Sequence, residues 1–188
     1  MLRLGILAST RGTDMLAIVA AIQQNQLSAS ISVVISNKSD AIVLERAKAS
    51  GLNSKFIDPK HLTREAYDEK VSAELLANQV DLVVLIGYMR ILTEPFFQVW
   101  RHKIINVHPS LLPEFAGGMD QNVHQAVIAS GAAKTGCTVH YVTEELDVGP
   151  ILIQKSCNVY LTDTPDTLKT RVQKLEGEAL IEAIQKIS

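Results

Sequence analysis

Short apolar runs rich in β-branched residues alternate along this chain with longer segments whose apolar positions recur at the helical period. Residues 2–9 (LRLGILAS) read as a strand, and 13–26 (TDMLAIVAAIQQNQ) as a helix with Asp14 near its start. Strands at 28–36 and 54–58 follow, separated by a helix through 40–51 that ends at Gly51. The amphipathic segment 62–79 opens on Thr63, a residue suited to capping. Residues 81–88 (DLVVLIGY) are apolar almost without interruption, the pattern of a strand covered on both faces. A short helix at 93–100 carries Pro95 in its first turn, and 103–108 (KIINVH) is the next strand.

This alternation predicts an α/β fold, a Rossmann-like doubly wound sheet that is mostly parallel in the N-terminal half. After residue 108 the pattern changes. A loop runs to about 119, and a helix spans 122–130. Strands at 136–143 and 150–159 are then joined by a short polar loop, which suits an antiparallel hairpin. Thr164 as N-cap and Pro165 at the first helical position open a last helix that runs to the end of the sequence.

Composition narrows the function classes. The 188 residues, with no repeat or linker, fit one domain over 1–188. Apolar residues make up 47% and charged ones 20%, ordinary for a globular core. A net charge of -2 without a basic run argues against nucleic acid or an anionic membrane as partner. The apolar runs fall far short of the ~20 residues of a membrane span, and the N-terminus lacks a cleavage region, so a cytoplasmic protein is expected. Cys137 and Cys157 show no metal-ligand spacing and read as small buried hydrophobes; no metal is expected.

Three stretches at the carboxyl ends of the parallel strands, where open α/β sheets bind ligands, and one further loop expected at the same rim carry candidate chemistry. In STRGTDM (9–15), Gly12 permits close backbone approach, and the N–H groups that open the helix suit an anion such as phosphate. It is neither a Walker loop nor Gly-x-Gly-x-x-Gly, and one glycine there is also ordinary turn geometry. In GYMRIL (87–92), Met89, Ile91 and Leu92 are either an apolar pocket wall or plain core, and Arg90 either pairs a ligand acid or is solvated. Asn106 and His108 lie two apart on a strand and share a face. Pro109 ends ladder pairing behind them, and Leu112–Pro113 is a candidate cis bond. A donor amide and an imidazole in a rigid frame suit an oxyanion site, against the alternative of a structural histidine. In TEELDVGP (143–150), Asp147 sits before the constraint of Gly149 and Pro150 and is the candidate acid, although a solvated turn reads the same way.

Together GILASTRGTDMLAI, DLVVLIGYMRIL, INVHPSLLPEFAG and GCTVHYVTEELDVGPILIQ resemble the folate-dependent formyltransferase family, over nearly the whole chain. RGTDM points to the branch that acts on glycinamide ribonucleotide. The resemblance implies formyl transfer from 10-formyltetrahydrofolate, as co-substrate, to the amine of 5-phosphoribosylglycinamide in purine biosynthesis. It makes Asn106, His108 and Asp147 the catalytic trio. Arg64, Met89, Arg90, Ile91, Leu92, Asn106, Val142 and Asp147 fall to the folate. Gly12, Thr13, Asp14, Pro109, Gln173 and Glu176 fall to the ribonucleotide. The phosphate-binding half is about 1–100 and the folate and catalytic half about 101–188, in a monomer or homodimer. Other readings are formyl transfer to an amino-sugar nucleotide and a non-catalytic folate-binding module.

The implied mechanism has Asp147 keep His108 charged, so that Asn106 and the imidazolium stabilise the formyl oxyanion while a proton leaves the attacking amine. Three departures from the family pattern stand out. The phosphate turn is Gly-Thr-Asp rather than Gly-Ser-Asn, and a tolerated Asp14 is expected to cap the helix and turn away from the phosphate. The stretch 117–126 is about two residues longer, so Asp120 and His124 are not mapped onto the family pattern. The pair usually read as Glu-His in the last helix is Glu176-Gly177.

Overall fold

In the computed structural model, which describes residues 1–118 and 121–188, the strands and helices expected from the apolar pattern form, most of them trimmed at their ends. β1 (Leu2–Ala8), α1 (Thr13–Gln23), β2 (Ala29–Ser36), α2 (Ile42–Ala49) and β3 (Ser54–Phe56) come first. Then come α3 (Arg64–Ala77), β4 (Leu82–Ile86), α4 (Glu94–Trp100) and β5 (Ile104–His108). The remainder is α5 (Gln121–Ala129), β6 (Lys134–Tyr141), β7 (Ile151–Asn158) and α6 (Pro165–Ile187). One seven-stranded sheet runs in the order β3-β2-β1-β4-β5-β6-β7. Pairing is parallel from β3 to β5 and antiparallel where β6 joins β5 and β7 joins β6. β6 starts and ends two residues earlier than expected, because its ladder with β7 extends back to the Lys134–Asn158 pair.

Side chains alternate between two cores, as a doubly covered sheet requires. Leu4, Ile6 and Ala8 of β1, with Ile105 and Val107 of β5, pack under α1, α2, α5 and α6. Leu7, Val83, Leu85 and Ile104 face α3 and α4 through Tyr67, Leu75, Phe96 and Trp100. Each such fully buried apolar side chain contributes roughly 1.5–3 kcal/mol. Asn106 and His108 therefore fall on the α3/α4 side, at the carboxyl end of β5.

The helix starts follow from side-chain capping. The Thr63 hydroxyl accepts from the Ala66 N–H at 3.1 Å, and Thr164 and Thr167 form a reciprocal capping box. α4 is held instead by the buried Asp68, which accepts from both the N–H and the hydroxyl of Thr93 at 2.7 Å. The departure at Gly177 has a packing reason. α6 crosses α1 so closely that a Cβ there would lie 2.8 Å from the Ala17 methyl.

β1 pairs with β2 on one side and β4 on the other, so the chain reverses direction across the sheet between them. Ligand crevices form at that switch point. The strand ends there are stitched together. The Ser9 hydroxyl donates to Asn37 at 2.6 Å and accepts from the Met89 N–H at 2.8 Å. Among the described residues no helix is long and apolar enough to cross a membrane.

Candidate active site

A cavity of about 620 Å³ opens over the carboxyl ends of β1, β4 and β5 and is closed by the loop before β7 and the first turns of α6. At one end sits the turn into α1. Gly12 is its N-cap, with the left-handed φ of 62°, and a Cβ there would overlap the Val43 side chain. Arg46 from α2 braces this turn through the Arg11 carbonyl at 2.9 Å and the Thr13 hydroxyl at 3.2 Å. Gly12, Thr13 and Asp14 all line the cavity, as expected, and so do Gln173 and Glu176 of α6 and Pro109.

Asp14 does not cap the helix. No side chain caps α1, and the Asp14 carboxyl points inward, buried, with Oδ1 lacking a hydrogen-bond partner among the described residues. It is the second residue of α1 and belongs to the buried face of that helix with Met15, Ile18 and Ala21. Burial pushes it up to about 7.

At the other end, β5 and β6 present their polar faces together. Asn106 pairs across the ladder with His140, and His108 with Thr138. The His140 Nδ1–H donates to the Tyr141 carbonyl at 2.9 Å, and Nε2 lies 3.3 Å from the Asn106 amide nitrogen. Asp147 reaches between both histidines. Its Oδ2 is 3.4 Å from His108 Nδ1, and its Oδ1 is 3.5 Å from His140 Nε2. The Gly117 N–H adds a bond to Oδ2 at 2.8 Å. Asp147 has the left-handed φ of 56°, an uncommon conformation for a residue with a side chain, held by the turn behind it. There a Cβ on Gly149 would overlap the Tyr141 carbonyl.

The two titratable groups respond differently to this setting. Burial pushes Asp147 up, but His140, the Gly117 N–H and the charge on His108 leave it below the ordinary carboxylate value. Burial pulls His108 down, and Asp147 and the Phe115 carbonyl, 3.1 Å from Nε2, only partly offset it. The expectation that Asp147 keeps the imidazole charged is therefore corrected: desolvation outweighs the carboxylate, and the net direction is down.

The loop behind β5 is rigid for a reason visible in its bonds. Leu112–Pro113 is cis. The Thr138 hydroxyl donates to the Ser110 carbonyl at 2.7 Å and accepts from the Leu112 N–H at 3.0 Å, while Gln154 donates to the Leu112 carbonyl at 2.9 Å.

The apolar wall is formed by Met89, Ile91, Leu92 and Val142, all lining the cavity. Arg90 lines it too, stacked 4.2 Å over the Tyr67 ring, with a buried Nε that has no hydrogen-bond partner among the described residues. Arg64 is not one of the lining residues; its guanidinium donates to the Ile91 carbonyl at 2.9 Å and braces that wall. Asp120 lies outside the described residues. His124 is buried and lines the α6 end of the cavity.

Sequence reasoning missed His140, Arg46 and Lys169, all lining residues. Thr138 and His140 alternate on one strand face, a signal of the kind that singled out Asn106 and His108. Arg46 and Lys169 carry no local signal, because only the packing of α2 and α6 brings them to the turn.

The family model described as Formyl transferase matches residues 2–184. The chain belongs to this family. Phosphoribosylglycinamide formyltransferase of Escherichia coli (strain K12) is 37% identical over 172 residues, 91% of this chain and 80% of that protein. Glycinamide ribonucleotide transformylase 1 from Symbiobacterium toebii has the same fold, with a TM-score of 0.94 at 37% identity, covering 98% of this formyl transferase chain and 86% of that one. The trifunctional purine biosynthetic protein adenosine-3 of Gallus gallus is 38% identical over 187 residues, 99% of this chain but only 18% of that longer protein.

Proposed function

We propose that this protein transfers the formyl group of 10-formyltetrahydrofolate to the amine of 5-phosphoribosylglycinamide, giving formylglycinamide ribonucleotide in purine (IMP) biosynthesis. The observation that carries this reading is the convergence of Asn106, His108 and Asp147 on one rim of a cavity that reaches an anion-suited helix start. The chain acts as a single domain, and its two small-molecule ligands occupy opposite ends of one cleft.

The residues present fit a folate. The wall of Met89, Ile91, Leu92 and Val142 offers a flat apolar face, and Arg90, stacked on Tyr67, brings a cation to the same wall for a carboxylate. When bound, the folate supplies the activated formyl group. The Asn106 amide, oriented by His140, has a second N–H free to donate where negative charge grows on the formyl oxygen. His108 lies on the same face and can donate there once its Nε2 leaves the Phe115 carbonyl. Asp147, kept ionised by its partners, accepts the proton that leaves the attacking amine, directly or through His108, and that proton passes to the folate nitrogen as its bond to the formyl carbon breaks. Gly12, Thr13 and Arg46 hold the phosphate end of the acceptor, and Gln173 and Glu176 its sugar. Fixing both reactants in one cleft lowers the barrier further.

The test is one assay with purified protein, both substrates and detection of formylglycinamide ribonucleotide, run in competition with an amino-sugar nucleotide. Product from glycinamide ribonucleotide is expected. Formylation of the amino sugar alone, or folate binding without turnover, overturns the proposal.

A further inference from the structure

The cation in the apolar wall is held by a ring rather than by an ion pair. Arg90 lines the cavity, and its guanidinium carbon lies 4.2 Å from the centroid of the Tyr67 ring, within the range of a cation–π contact. Its Nε is sealed. Its two terminal nitrogens are not sealed and, among the described residues, make no hydrogen bond. Tyr67 stands on α3, where Tyr67, Val71 and Leu75 recur at the helical period on the core face. It is fully buried and is not one of the residues lining the cavity, so a ligand there meets Arg90 and not the ring beneath it.

The neighbouring carboxylate is occupied elsewhere. Asp68, next to Tyr67 on α3, feels the charge of Arg90, but its Oδ2 accepts from both the N–H and the hydroxyl of Thr93. An ion pair would use the N–H edge of the guanidinium, whereas stacking uses only its face. Burial pushes the Tyr67 phenol up, so the cation meets a neutral ring and not a phenolate.

We infer that Tyr67 is a positioning residue for the folate: its ring pre-sets Arg90 with the N–H edge free, and that edge pairs with a carboxylate of the folate's glutamate tail. The inference rests on the folate assignment proposed above. An arginine ordered before the ligand arrives does not spend binding energy on being ordered. Without the ring, Arg90 is in place in only a fraction of molecules, and the apparent Kd rises by the inverse of that fraction.

The experiment measures the Kd of 10-formyltetrahydrofolate by calorimetry without acceptor, and kcat with it, for wild type, Tyr67→Leu and Tyr67→Phe. The same donor with its tail carboxylates converted to amides is measured beside it. Tyr67→Leu is expected to raise the Kd of the acid about tenfold, keep kcat within about threefold and leave the Kd of the diamide unchanged. Tyr67→Phe loses only a hydroxyl that has no hydrogen-bond partner among the described residues, and should match wild type. An equal rise for acid and diamide overturns the inference, because the apolar wall would then have shifted as a whole. Since Tyr67→Leu leaves a cavity in the α3/α4 core, a second series keeps the ring: phenylalanine with one, two or three ring fluorines at position 67. Fluorine drains the π face, so the Kd of the acid should rise stepwise, about threefold or more across the series. A flat series overturns the inference. If wild type binds acid and diamide equally, no tail carboxylate meets Arg90, and the inference fails while the folate assignment stands. If wild type neither binds nor uses 10-formyltetrahydrofolate, the folate assignment fails as well.

Discussion

The two ends of the cavity are built on opposite terms. At the β5–β6 rim, Asn106, His108, His140 and Asp147 each have a named polar partner, and Thr138 and Gln154 fasten the loop behind them. At the α1–α6 end, a buried carboxyl oxygen of Asp14 is left without one. A chemical step gains from donors that need no reorganisation when charge develops, so that rim is paired in advance. At the other end the unpartnered oxygen is a cost the fold itself carries, about 1–3 kcal/mol for a buried polar atom without a partner.

The largest effect expected from breaking this contrast is at the paired rim. Asn106→Ala should lower kcat by about 10²–10³ with an unchanged thermal melt. Turnover close to wild type would show that the rim's donor is not used. Next comes the unpaired end, through stability and pH. Asp14 has a native pKa of about 7 against an ordinary 3.8. Between those values the unfolded chain sheds a proton that the native state keeps, so stability falls as pH rises through that window and levels off above it. Asp14→Asn has no such proton. Its advantage over wild type in unfolding free energy, read from urea titrations, should therefore grow from about pH 4 to about pH 7, reaching a few kcal/mol, and then stay constant. An advantage that shrank with rising pH would contradict the buried neutral acid.

Smaller effects sharpen the same comparison. Gly149→Ala forces a methyl into the Tyr141 carbonyl and should destabilise the protein by about 1–3 kcal/mol while displacing Asp147. Chemical denaturation together with kcat would show both losses; activity kept at reduced stability would free Asp147 from its turn. Arg46→Ala removes the brace on the Arg11 carbonyl and Thr13 hydroxyl. It should raise KM for glycinamide ribonucleotide about tenfold, leaving kcat within about threefold, since Arg46 belongs to the binding end. An equal fall in kcat would blur the division between the ends.

Much of this was legible from residue order. β-branched runs and helical periods located the strands and helices, because the alternation of apolar positions is a local property of the chain. The Thr63 and Thr164 caps were readable for the same reason, each bonding within its own helix turn. Asn106 and His108 were visible because two residues on one strand must share a face. His140 was equally readable in principle, from its alternation with Thr138, but only the antiparallel β5–β6 register made it the partner of Asn106.

What the sequence alone determined, then, is the order of the sheet-forming and helical segments and the residue types available at each strand's end. Tertiary structure alone decided which of them meet. Asp147 lies 39 residues after His108 in the chain yet 3.4 Å from it in space, brought there by the hairpin and a left-handed turn. It also decided the charges. Asp14, expected to cap the helix and turn away from the phosphate, is buried instead and caps nothing. His108, expected to be charged, is pulled down by its own burial. Both outcomes follow from desolvation, which depends on everything packed around a group and on nothing in its immediate sequence.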